Sequence, residues 1–227
     1  MRVEQPAGSR GSLKWIQRLV EHNPSALDSR LQEVGALAGR RLVWLSPLFE
    51  DVYAEYGDTD FLNRIGQGHL ALALKGFWPQ RGPQWDALAS DGDERVFLFE
   101  AKAHAAEMAS TCQAGSSSRQ KIIAACNETK HVVGAGPHTD WLDGYYQYAN
   151  RIAHLYFLRK HQVEAWLVFL YFLGDKDMSG PDSEAGWGPH IEAAHRHLGL
   201  KSQVQWVASL FQPTADLQGA DFVRPTI

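Results

Sequence analysis

The chain has 227 residues, 44% of them hydrophobic and 11% aromatic, with a formal net charge of −4. That length and apolar content suit one sizeable globular domain and argue against intrinsic disorder. The net negative charge argues against a protein that coats nucleic acid non-specifically, because such binding rests on Lys and Arg neutralising phosphates. A local basic groove is still compatible with it.

The two cysteines, Cys112 and Cys126, form no C-x-x-C and no His/Cys cluster of zinc spacing, so reduced thiols are the simpler reading. The first residues, with Arg2, Glu4 and Gln5, carry no apolar signal-peptide core. The longest apolar run, Ala165 to Leu173, is too short to span a bilayer as a helix. The expectation is a soluble cytoplasmic protein with no membrane partner.

In chain order, Ser12 is placed to cap a helix through Trp15, Ile16, Leu19 and Val20, which share one face. Asn23-Pro24 ends it, and Leu27, Leu31, Val34 and Leu37 mark a second helix closing near Gly39. Residues 1–46 are therefore expected to form an N-terminal helical extension packed on a core of residues 47–227, the whole behaving as one folding unit. Arg41 to Trp44 reads as a short strand. Pro47 opens an expected helix through Phe49, Val52, Tyr53 and Tyr56 towards Leu62, with Glu50, Asp51, Glu55, Asp58 and Asp60 along it. Gly66-Gln67-Gly68-His69-Leu70-Ala71 matches G-x-G-x-x-(G/A), with Asp86 about twenty residues later as in a dinucleotide fold. The preceding segment, residues 58–65, is too polar for the buried strand that this motif requires, so a short helix from Leu70 to Lys75 is expected instead.

Gly76 to Pro83 is the expected first strand of the sheet. Arg95 to Ala103 reads as a buried strand following the polar turn Ser90-Asp91-Gly92-Asp93. Alternation puts Val96, Leu98, Glu100 and Lys102 on one face and Phe97, Phe99 and Ala101 on the other. Unlike charges at the end of such a strand need a partner or a metal, because buried charges are costly. Asp86 lies fourteen positions before Glu100, and a hairpin of residues 84–90 and 95–103 brings the two carboxylates together. Two carboxylates make a hard oxygen site of the kind that takes Mg²⁺ or Mn²⁺. The competing reading is an ion pair, Glu100 with Lys102, that ends a core strand.

A helix is expected after the Ser116-Ser117-Ser118 cap, with Ile122, Ile123 and Cys126 on its apolar side and Arg119, Lys121 and Lys130 as phosphate-contact candidates. Trp141 to Leu158 is a strong helix with a polar stripe of Gln147, Asn150, Arg151 and His154. Val163 to Leu173 is a near-continuous apolar strand, so strand, helix and strand together suggest a crossover to a parallel neighbour. A further helix is expected at 192–198 and a last strand at 204–210.

Asp86 and the tripeptide Glu100-Ala101-Lys102 resemble the motif of the PD-(D/E)XK nuclease superfamily, over roughly residues 50 to 175. Trp85 stands where the motif has proline. The resemblance implies a restriction-endonuclease-like α/β fold with a mixed sheet: helix, three-strand meander, crossover helix, strand. It implies metal-dependent hydrolysis of a phosphodiester, in DNA above all, and a homodimer as one arrangement. By the same resemblance, Asp86, Glu100 and the Ala101 carbonyl would bind Mg²⁺ or Mn²⁺. Lys102 would position water or stabilise negative charge. A helical acid, Glu55 with Glu50 and Asp60 as rivals, would complete the site. Gln147 matches a Gln found on the crossover helix in RecB-like branches, but Arg151 stands where those branches carry a Tyr. A non-catalytic nucleic-acid- or protein-binding module on the same fold is the alternative.

Overall fold

A computed structural model describes residues 1–201 and 203–218. In chain order the elements are β1 (Arg2–Val3), α1 (Gly11–His22), α2 (Asp28–Glu33), β2 (Val43–Ser46), β3 (Glu55–Tyr56), α3 (Asp58–Arg64) and α4 (Ala71–Phe77). They continue with β4 (Ala87–Ser90), β5 (Val96–Lys102), α5 (Ser116–Val133), α6 (Tyr146–Lys160), β6 (Ala165–Leu173), α7 (Glu184–Leu198) and β7 (Val207–Pro213). Five strands form one mixed sheet in the order β2-β4-β5-β6-β7, and β1 pairs with β3 in a separate two-stranded ribbon. The pairings β2–β4 and β4–β5 are antiparallel, whereas β5–β6 and β6–β7 are parallel. The protein is thus mixed α/β, as expected.

Alternation along the central strands gives the sheet two dry faces. Ala87, Ala89, Phe97, Phe99, Val168, Leu170 and Phe172 face α1, whose Trp15, Ile16, Leu19 and Val20 form the expected apolar stripe. Leu88, Val96, Leu98, Leu167, Phe169 and Tyr171 face the other layer, where α6 supplies Tyr148, Ile152 and Leu155. All seven residues of β5 are buried. A strand covered on both faces reads as continuously apolar, which is why only its last residues, Glu100 and Lys102, break the pattern.

Several expectations require correction. The meander's first strand is Val43–Ser46, not Gly76–Pro83, which forms the end of α4 and a loop. The boundary expected at residue 46 therefore falls at the end of a strand of the main sheet. The second N-terminal helix stops at Glu33, because Gly35 takes a left-handed conformation at φ 72°. The helix expected from Pro47 to Leu62 is interrupted: Val52 and Tyr53 both have positive φ, and Glu55–Tyr56 form a short strand before α3 begins at Asp58. Because residues 58–64 are helical, Gly66-Gln67-Gly68 lacks the preceding strand of a dinucleotide site. The last helix starts earlier, at Glu184, and β7 starts later, at Val207. Among the described residues, no helix is long and apolar enough to cross a membrane.

His154 marks how tightly the α6 layer is packed. It is 2% exposed, its ring meets those of Phe61, Phe77, Trp78 and Trp85, and Nδ1 contacts the Asn150 carbonyl at 2.8 Å. Burial pushes its pKa down to about 3, against about 6.5 for an imidazole in an unfolded chain. Between these values only the unfolded chain takes up the proton. His154 therefore withdraws stability as pH falls from about 6.5 towards 3, and its full contribution is present above that window. We expect the urea midpoint of the wild type to fall more steeply between pH 7 and pH 5 than that of His154→Phe. Parallel pH profiles for the two proteins would refute this.

Candidate active site

The β4–β5 register builds the site. Ala87 pairs with Phe99, Leu88 with Leu98 and Ala89 with Phe97, so one more step sets Asp86 opposite Glu100. Residues opposite one another on antiparallel strands project their side chains to the same face. Asp86 precedes the strand proper, and its Oδ2 accepts a 2.7 Å hydrogen bond from the Ala101 N–H. The N–H and C=O of one residue lie on the same edge of such a ladder, so the Ala101 carbonyl shares the edge that Asp86 occupies.

Glu100 is 1% exposed and fully engaged. Its Oε1 accepts from Lys102 Nζ at 2.5 Å and its Oε2 from Arg151 Nε at 2.5 Å. Lys102 Nζ also donates to Gln147 Oε1 at 3.1 Å. Gln147 and Arg151 stand four residues apart on α6 and so share a helical face, which lies over the end of β5. Glu55 arrives by a different route from the one its sequence suggests. It sits on β3, and an antiparallel bridge between Tyr56 and Trp85 draws β3 against the segment leading to Asp86. There Glu55 accepts a 3.0 Å bond from Gln5 Nε2, and the Gln84 side chain donates to the Glu55 carbonyl at 3.1 Å.

The acids perturb one another. Burial pushes the Asp86 carboxyl well above its ordinary range, and the nearby Glu100 charge adds to the rise. Burial also raises Glu55 to about 7. Burial acts on Glu100 in the same direction, but Arg151 and Lys102 outweigh it and hold that carboxyl below its usual value. The site thus keeps one carboxylate ionised and its neighbours ready to hold protons.

Asp86, Glu55, Gln147, Asn150 and Arg151 line a cavity of about 720 Å³, with the Trp78–Gln84 loop on one side and Ser110 to Ser118 on the other. Glu100 and Lys102 are not part of this lining and meet it through Arg151 and Gln147. A second cavity, about 670 Å³, opens beside the start of β7 and has no carboxylate in its lining. The acids of the first make it the better candidate for chemistry.

The donor set suits a hard divalent ion, since it offers two carboxylates and one carbonyl. Among the described residues, no three His, Cys, Asp or Glu side chains converge as a metal-holding group. Mg²⁺ needs no such group, because it commonly keeps several waters and takes only one or two protein carboxylates. Asp86 lines the cavity and has spent only one oxygen. Glu100 would have to share an oxygen already held by a cation.

Asp86, Glu100, Ala101, Lys102, Gln147 and Glu55 are therefore gathered at one end of β5, and the rivals of Glu55 are placed elsewhere. Asp60 lies on α3, and Glu50 lies in the 3₁₀ turn before Val52. The phosphate-contact candidates each have a carbonyl partner within the chain: Lys130 Nζ donates to the Thr139 carbonyl at 2.5 Å, Lys121 Nζ to the Lys75 carbonyl at 3.0 Å and Arg119 to the Cys112 carbonyl at 3.4 Å. Sequence reasoning missed the role of Arg151 as the ion partner of Glu100. The signal was its place four residues after Gln147 on the polar stripe of α6. No family model, curated protein or solved structure matches the chain.

Removing Glu100 leaves two buried cations unpaired. Breaking a buried pair by deleting one partner costs about 3–5 kcal/mol. We expect Glu100→Ala to lose stability on that scale in urea unfolding, with Glu100→Gln losing less. A loss below about 1 kcal/mol, the range of exposed pairs, would show that the cluster is solvated.

Proposed function

We propose that the protein is a metal-dependent phosphodiester hydrolase, a nuclease acting on DNA, built on a restriction-endonuclease-like arrangement. The observation that carries this reading is the convergence of Asp86, Glu100 and Lys102 at the end of one buried strand, with Gln147 of the crossover helix bonded to Lys102. The order meander, crossover helix, parallel strand supports it. So does the placing of Glu55 at the same cavity from an element remote in sequence.

In this reading Asp86, Glu100 and the Ala101 carbonyl would hold Mg²⁺ or Mn²⁺. When bound, such an ion lowers the pKa of a water and offsets charge on a phosphoryl oxygen. Lys102 presents an ammonium towards the developing negative charge, and Gln147 fixes its direction. Glu55, titrating near 7, is able to hold or release a proton at working pH. The cavity, walled by the Trp78–Gln84 loop, is where the phosphodiester would be received. Cleavage of single- and double-stranded DNA and RNA, each with Mg²⁺ or Mn²⁺, tests the proposal. Asp86→Asn and Lys102→Gln should each lower the rate at least about 100-fold, the scale on which loss of one charge-stabilising group acts. Cleavage that survives in both folded variants would refute the assignment.

A second reading, a non-catalytic nucleic-acid- or protein-binding module, is favoured by one feature. Both oxygens of Glu100 are already neutralised by cations, as in a purely structural ion cluster. It predicts nucleic-acid or protein binding with no cleavage and no bound metal.

A further inference from the structure

Arg151 joins Glu100 to its own helix and to the segment that leads to Asp86. Its Nε donates to Glu100 Oε2 at 2.5 Å, its Nη1 to Asn150 Oδ1 at 3.0 Å and its Nη2 to the Gln84 carbonyl at 2.6 Å. The guanidinium lies 4.9 Å from the centre of the Trp85 ring. It is 4% exposed, yet it lines the cavity. A planar fork of five donors is what allows one side chain to hold three acceptors on three segments.

A simple strut would be expected to fix Glu100, but Glu100 is fixed without it. β5 is paired on both sides, to β4 and to β6, and Lys102 holds the other carboxylate oxygen. What Arg151 adds is charge. With Lys102 it places two cations within bonding distance of one carboxylate. Both oxygens that a metal would use are committed to them, and like charges this close repel strongly in a poorly solvated site. Loading a divalent ion onto Glu100 is therefore opposed by both cations, and withdrawal of one relieves that repulsion. Lys102 is held at Gln147 as well and does not line the cavity. Arg151 has alternative anchors in Asn150 and Gln84, and it borders the open cavity.

We infer that Arg151 is a counter-ion latch on the metal site: it occupies Glu100 in the metal-free protein and gives up that carboxylate when a divalent ion binds. The inference rests on the reading of Asp86 and Glu100 as metal ligands. It makes metal affinity, rather than folding alone, the property that Arg151 sets.

Calorimetric titration of the full chain with Mn²⁺ alone, on the wild type, Arg151→Gln and Glu100→Gln, tests it. We expect Arg151→Gln to bind Mn²⁺ at least tenfold more tightly than the wild type, and Glu100→Gln to lose that binding. A second measurement needs no variant at position 151 to fold stably beyond assigning one signal. In the wild type, the NMR resonance of the Arg151 Nε–H should shift and exchange faster with solvent as millimolar Mg²⁺ is added. Wild-type binding that is lost in Glu100→Gln, with equal or weaker affinity in Arg151→Gln, overturns the latch and leaves the metal-site reading standing. No Mn²⁺ bound by the wild type or by Arg151→Gln overturns both. An Arg151 signal unchanged by millimolar Mg²⁺ also overturns the latch.

Discussion

One buried carboxylate, Glu100, is the group on which the site's arrangement depends. An ionised acid almost wholly removed from water is tolerable only with full compensation, and here the compensation comes from two directions. Lys102 supplies it along the same strand, and Arg151 supplies it from the helix that crosses over to β6. The pairing with Arg151 ties the α6 layer to the sheet at the charged end of β5. Through the Gln84 carbonyl and the Trp85 ring, the same arginine also reaches the segment that presents Asp86.

The apolar architecture explains why the charges collect where they do. β5 is covered by α1 on one face and by α6 on the other, so along most of its length it carries only apolar side chains. Its last residues run past the start of β4, where the ladder has ended and the Ala101 N–H needs an acceptor. Asp86 supplies one. A satisfied backbone donor, an ion cluster and the end of a sheet ladder thus coincide, and the cavity above them is the consequence of the strand outrunning its neighbour.

The balance of charge at the site differs from a simple pair of metal-binding acids. Asp86 and Glu55 are pushed towards their protonated forms by burial, whereas Glu100 stays ionised because cations surround it. Binding of a divalent ion would accordingly be coupled to release of protons and to rearrangement of the cations already present. The reading as a nuclease and the reading as a structural cluster share the same static geometry, and they part on that coupling.

Much was legible in the chain itself. The buried strand ending in Glu100-Ala101-Lys102, the fourteen-residue spacing from Asp86, the crossover helix and the parallel strand after it follow from period-two and period-3.6 patterning, which is local. The stripe of α6 placed Gln147 and Arg151 on one face but left open which strand they meet. Tertiary structure decided the rest, because it depends on contacts between distant segments. Val43–Ser46, overlapping the short strand expected at 41–44, became the meander's first strand by pairing with β4, a partner that local pattern does not give. Glu55 reached the site on a two-residue strand, since positive φ at Val52 and Tyr53 broke the expected helix and the Tyr56–Trp85 bridge captured what followed. Arg151 became the partner of Glu100 because the crossover laid α6 over the end of β5, and the separation of fifty-one residues leaves no trace in local pattern.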